Sequence, residues 1–229
     1  MRNEKKNQGS KKTNLQYWFT VEGDTEKWYL EHVQKLINSV DGAKNHVVLE
    51  PKKCKSPKSF VKNMNALITP RITHLCDIES KSQEHLGNFS NVLSELQFAR
   101  KDKEIQYEIG YSNYTFDLWI ILHKQQLMTP LSDRTKYLPY INSAYSKKFN
   151  SLSEYKEEDN FKKLLDCIDI DSIKLAIQNA EAIDDYNVKI GAKSKKEYGV
   201  KYYIDNPALS IHIFIRQIFE DCGLLEKKK

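Results

Sequence analysis

Five carboxylates are placed where they could share one cation. Glu22 and Glu26 lie in Y-W-F-T-V-E-G-D-T-E (Tyr17–Glu26), flanking Gly23, Asp24 and Thr25. Asp77 and Glu79 lie in I-T-H-L-C-D-I-E-S (Ile72–Ser80), 55 residues after Glu22. Asp117 follows in S-N-Y-T-F-D. The first two blocks each begin as a short apolar run of strand type and end in acids. Glu22 and Glu26 are four residues apart across a strand-to-helix turn, so both can face one ion, and Gly23 gives the backbone room to bend. In an extended segment residues i and i+2 project to the same side, so a D-x-E pair can send both carboxylates to one site. Magnesium takes carboxylate oxygens and keeps several waters, so a few acids plus a substrate phosphate are enough to hold it. Each block also has an ordinary reading. Acids in the first turn of a helix are favoured by its dipole, and acid pairs are common in solvated loops.

Around these acids stand residues suited to a polyanion. Lys52, Lys53, Lys55, Lys58 and Lys62 cluster after the second expected strand, on the same sheet edge as the acids. A basic rim beside an acidic centre suits a phosphate backbone, with a solvated loop as the alternative. Ser112 and Asn113 reach that edge too, Asn113 with turn chemistry as its other reading. His123, at the end of an apolar helix, reads as a capping or packing histidine. No G-x-x-x-x-G-K-[ST] and no G-x-S-x-G occurs, so neither a P-loop nor a nucleophile elbow is encoded.

The elements that must position these residues alternate. Strands are expected at Gln16–Val21, His46–Glu50, Ile72–Cys76 and Glu104–Tyr111. Helices are expected at Thr25–Asn38, Phe60–Leu67, 82–101 and Phe116–His123. Alternating strands and helices point to an α/β fold with a mainly parallel four-stranded sheet and crossover connections. In such sheets ligands bind at the carboxyl ends of the strands. Residues 1–14 read as a disordered basic tail, 15–123 as the α/β core, and 124–160 as an insertion or lid. Residues 161–225 read as a helical C-terminal part and 226–229 as a tail. Within that part a helix is expected at Phe161–Asp184, a lysine-rich loop at Asp185–Lys201 and a last helix at Ala208–Cys222.

Composition sets the class. The chain has 229 residues, 40% hydrophobic and 29% charged, which suits a globular protein. It has no long apolar run and no apolar leader core, so a cytoplasmic location is expected. Cys54, Cys76, Cys167 and Cys222 are widely spaced and read as free thiols. The net charge of +5 resides in the ends. Residues 1–12 carry +4 and residues 226–229 carry +2, leaving −1 for the body. Overall basicity therefore says little about nucleic acid, and local patches must carry that argument.

V-E-G-D-T-E, C-D-I-E-S, S-N-Y-T-F-D-L-W-I-I-L-H and D-N-P-A-L-S-I-H resemble, in that order, the RloB-like proteins. The resemblance spans about Phe19 to Phe219. These are TOPRIM-fold proteins of bacterial defence and abortive-infection loci. The resemblance implies a Mg²⁺- or Mn²⁺-dependent nuclease of DNA, RNA or tRNA acting against phage, often encoded beside an ATPase. It implies Glu22 as the first TOPRIM glutamate, Glu26 as the second acid of E-G-x-x-E, and Asp77 and Glu79 at the D-x-D positions. Asp117 falls where the family shows Glu in F-E-L-W, so Glu79 and Asp117 each differ by one methylene. The substrate-binding set is Lys52, Lys53, Lys55, Lys58, Asn113 and Lys193. Lys189, Lys193, Lys195 and Lys196 are candidates for a late catalytic lysine. The competing expectation is a non-catalytic sensor that binds nucleotide or nucleic acid and reports to the ATPase. Self-association is left open.

Overall fold

The computed structural model describes residues 12–62, 64 and 71–228. Most of the expected N-terminal tail, the end of the expected Phe60–Leu67 helix, the turn at Pro70 and the last residue lie outside the described residues. Among those described, no helix is long and apolar enough to cross a membrane.

A five-stranded sheet organises the chain; from one edge to the other its strands begin at Asn45, Thr13, Ile72, Tyr107 and Ala208. Strands β1 (Thr13–Val21), β2 (Asn45–Lys53), β3 (Ile72–Asp77) and β4 (Tyr107–Asn113) run parallel. The fifth, β7 (Ala208–Leu209), pairs antiparallel with the end of β4. Ile72 to Cys76 are all buried, as expected of a central parallel strand covered on both faces. The register sets Val21 beside Leu75 and Asp77 beside Ser112. The carboxyl ends of β1, β3 and β4 therefore meet at one edge.

Helices cover both faces. On one side lie α1 (Asp24–Ser39), α4 (Asp117–Leu122), α8 (Ile170–Lys189) and α9 (Ile211–Asp221), which pack around Tyr29, Trp119, Ile177 and Phe219. On the other lie α2 (Pro57–Lys62) and α3 (Gln83–Asp102), around Val61, Phe89 and Leu93. Helix α1 buries Tyr29, Leu30, Val33 and Ile37 along one stripe, each contributing about 1.5–3 kcal/mol. Asn38 at its end exchanges two 2.8 Å hydrogen bonds with the backbone of Val47, fixing the return into β2.

Four stretches depart from the sequence expectation. Residues 124–160 carry a 3-10 turn (Arg134–Lys136), α5 (Tyr137–Tyr145) and α6 (Leu152–Tyr155). Tyr137, Ile141, Tyr145 and Tyr155 join the main core, so this segment is packed into the body. The expected helix at Phe161–Asp184 is two helices, α7 (Glu158–Leu165) and α8, parted where Asp169 caps α8 through its side chain. The expected loop Asp185–Lys201 holds the end of α8 and a hairpin, β5 (Ser194–Glu197) and β6 (Val200–Tyr203). That hairpin lacks the apolar alternation that marks a strand. The expected last helix loses its first residues because the backbone of Ala208–Leu209 pairs with Ser112–Asn113, making the sheet five-stranded.

Candidate active site

Glu22, Glu26, Asp77 and Asp117 gather at the carboxyl edge, each for a local reason. Glu22 is the first residue past β1, and Asp77 is the last of β3. Gly23 caps α1 in an extended conformation. A Cβ on Gly23 would lie 2.7 Å from Glu26 Oε2, so the glycine makes room for that carboxylate to fold back over it. The Thr25 hydroxyl donates to Glu26 Oε2 at 3.0 Å. Asp117 opens α4, a helix buried on every side, and the Thr115 hydroxyl donates to Asp117 Oδ2 at 3.0 Å.

The residue that sequence reasoning missed is Lys156. Its ammonium lies 3.2 Å from Asp117 Oδ2. Ser151 caps α6 through its side chain, and Tyr155 is fully buried with its ring 5.5 Å from Phe161. With Tyr155 anchored, the next residue is aimed at the acids. Nothing in S-E-Y-K-E-E marks the lysine, because only the burial of its neighbour points it inward. Lys195, one of the expected candidates, pairs with Glu197. Lys189 ends α8, and Lys193 and Lys196 belong to the hairpin and its approach.

The electrostatics are those of acids short of counter-charge. Burial, with the charges of Glu26 and Glu79, raises the Glu22 carboxyl to about 7. Burial is also the main cause holding Asp77 well above the usual carboxylate range, with Glu26, Asp117 and Glu22 adding to it and Lys156 opposing. Glu26 is raised by burial and by Asp117, again opposed by Lys156. Two buried polar atoms here lack a hydrogen-bond partner, Asp117 Oδ1 and the Tyr155 hydroxyl.

A cavity of about 140 Å³ opens beside this cluster, lined by Glu22, Asp77, Glu79, His85, Asn88 and Phe89 among others. Glu79 lines it as well, and its charge adds to the rise at Glu22. The chain leaves the strand at Asp77 and turns through a left-handed Glu79 at φ 63°, so a turn rather than extended backbone brings the two acids to one cavity. The Glu79 carboxylate lies 3.1 Å from His85 Nε2 and 3.6 Å from Arg134. The Ser80 hydroxyl meets His85 Nδ1 at 2.7 Å.

The other expected binding residues divide. Lys55 faces Glu22 closely enough to lower its pKa. Lys53 pairs with Asp24 at 2.9 Å, and Lys52 lies over the Trp18 ring; both close β2 at the acid edge. Lys58 lies over the Phe98 ring, on α3. Asn113 is fully buried and donates to the carbonyls of Tyr203 and Ile204 at 3.0 and 2.9 Å, so it ties the hairpin to β4. His123 is buried neutral between Trp119 O and the Tyr29 hydroxyl, its pKa pushed to about 3 by burial.

As the side chains stand, no group of three or more His, Cys, Asp or Glu among the described residues could hold a metal ion. The positive charge among the acids is the Lys156 ammonium. The donor chemistry nonetheless fits a hard divalent cation: carboxylate oxygens only, raised carboxyls in need of counter-charge, and a buried carboxylate oxygen, Asp117 Oδ1, without a partner. No curated protein and no solved structure matches the chain. A family model described as RloB-like protein matches residues 17–218, a span that contains every residue of this site, and the chain belongs to the RloB-like family.

Proposed function

We propose that the chain is a metal-dependent nuclease of the TOPRIM type, an effector of anti-phage defence that works with an ATPase partner. The observation that supports it most is the packing of Glu22, Glu26, Asp77 and Asp117 at one sheet edge with Lys156 among them. Glu22, Asp77 and Asp117 would hold Mg²⁺ or Mn²⁺, with Glu26 and Glu79 completing the acid set. Such an ion supplies charge neutralisation at a phosphodiester and lowers the pKa of an attacking water.

The chain's own groups do the rest. Lys156 offsets charge that develops on the phosphate in the transition state. Lys52, Lys53 and Lys55 form a basic rim at the same edge that draws in a polyanion. Phe89 and Val92 wall the cavity with apolar surface.

A second reading, a non-catalytic sensor that reports nucleic acid to the ATPase, is favoured by one observation: Lys156 already occupies the acid cluster. The test is cleavage of plasmid, single-stranded DNA and bulk tRNA in Mg²⁺ and in Mn²⁺, with and without the partner. The nuclease reading expects one of these to be cut, and Glu22→Gln to slow the cut by roughly two to four orders of magnitude. No cleavage by the wild-type chain under any condition, with Glu22→Gln still abolishing phage protection in cells, would establish the sensor.

A further inference from the structure

The β5-β6 hairpin carries a group of lysines outside the acid cluster. Residues 189–203 hold five lysines and one acid. A two-residue turn, Tyr198-Gly199, joins the strands, with positive φ at both positions (50° and 82°), the geometry that matches the twist of a hairpin. Alternation along the strands sorts the side chains. Tyr202 faces inward, its ring 4.9 Å from Phe89 and 6.3 Å from Tyr111. Lys196 and Lys201, which stand directly opposite each other, face outward with Tyr203, and both are exposed.

Like charges directly across two strands are destabilising. No carboxylate among the described residues lies within ion-pair distance of either lysine. Lys201 has the Tyr203 ring beneath it at 5.5 Å. This is an exposed pair of lysines with an aromatic neighbour, on a ribbon whose other face is fixed.

The root of the ribbon is tied to the acid edge. Asn113, at the end of β4, holds the carbonyls of Tyr203 and Ile204. The Tyr203 amide donates to the Tyr111 hydroxyl at 3.2 Å, and Lys81, two residues past Glu79, pairs with Asp205. Phe89, against which Tyr202 packs, also lines the acid cavity. At the other end, Arg100 of α3 donates to Tyr198 O at 3.3 Å. The ribbon therefore lies along α3 with its root beside the candidate active site.

We infer that the outer face of this hairpin, through Lys196 and Lys201, grips the phosphate backbone of a nucleic acid strand entering or leaving the acid site. The inference rests on the nuclease reading and adds the element that holds the substrate. Contacts of this kind are independent of sequence and add to the salt dependence of binding.

Lys196→Glu separates binding from folding. It replaces a repulsive cross-strand pair by an attractive one, so the melting temperature should hold or rise. The same change removes one phosphate contact and engages Lys201, so binding should weaken roughly tenfold to thirtyfold at moderate salt, with the log–log salt slope falling by about two. The readout is fluorescence anisotropy on a labelled duplex DNA and a labelled stem-loop RNA in EDTA, which excludes cleavage; the probe that shows the effect identifies the substrate. The double variant Lys196→Ala, Lys201→Ala should weaken binding likewise, and Lys196→Arg with Lys201→Arg should bind as wild type does. Unchanged affinity and slope in both Lys196→Glu and the alanine variant, or a loss in the arginine variant, overturns the inference and leaves the nuclease reading standing. A wild-type chain that neither binds nor cuts either nucleic acid overturns both.

Discussion

Lys156 Nζ lies 3.2 Å from Asp117 Oδ2, and the Asp117 side chain is only 1% exposed. The pair joins two segments of different kinds, the apolar helix that follows β4 and the short helix α6. It places one positive charge among Glu26, Asp77 and Asp117, and it holds α6 against the sheet edge.

Removing that charge strands the acids. Lys156→Met should destabilise the chain by about 2 kcal/mol, less than the ~3–5 kcal/mol of a fully buried broken pair because the ammonium is partly open to solvent. Asp117→Asn in the same background should recover part of the loss. The check is a double-mutant cycle by urea unfolding. Additive single effects, with no coupling, would mean that the contact does not contribute.

Stability should fall with pH across the weakly acidic range. The Glu22 carboxyl is raised from its ordinary 4.5 to about 7 in the folded state, so the folded chain binds that proton more tightly than the unfolded chain. The contribution is fully present below about pH 4.5 and is lost as pH rises to about 7, on the order of 2–3 kcal/mol. The raised carboxyls of Glu26 and Asp77 act in the same direction. Glu22→Gln should flatten the dependence over this window in denaturant titrations at several pH values. A slope as steep as that of the wild type would remove Glu22 from the cause.

A divalent ion should relieve the same repulsion. Mg²⁺ or Mn²⁺ at about ten times its Kd stabilises by RT ln 11, near ~1.4 kcal/mol, or a rise of roughly 3–6 °C in Tm for a chain of this size. Asp77→Asn should abolish the rise while sparing the metal-free Tm. Thermal scans with each ion would show this, and an unchanged metal response in Asp77→Asn would take Asp77 off the ligand set.

How far the site could be read in the sequence follows from where each residue's position is decided. The alternation of β1 to β4 with helices and the arrival of Glu22 and Asp77 at strand ends are local matters. Apolar runs that end in acids place both at strand ends, and parallel strands align those ends. The turn at Glu79 is not legible, because nothing in D-I-E-S marks a left-handed conformation at Glu79, a non-glycine residue that would ordinarily avoid it. Lys156 is hidden in the sequence because its direction is set by Tyr155 burying its ring between Phe149 and Phe161, and nothing in that short stretch marks which side of the turn packs inward. The structural role of Asn113 is not legible either, because its amide is used on the Tyr203 and Ile204 carbonyls, 90 and 91 residues away in the chain. The hairpin escaped notice because its lysines mask the alternation that only Tyr202 reveals in the fold.

The central claim, that the acids at this sheet edge carry out phosphodiester cleavage, is tested most directly by a single-turnover cleavage rate. The nucleic acid that the wild-type chain cuts would be presented to Asp77→Asn in Mn²⁺ at saturating protein, so that binding drops out. Asp77→Asn changes one charge with almost no change of shape. The account predicts a rate lower by roughly two to four orders of magnitude with binding retained. A rate in Asp77→Asn equal to that of the wild type would contradict it.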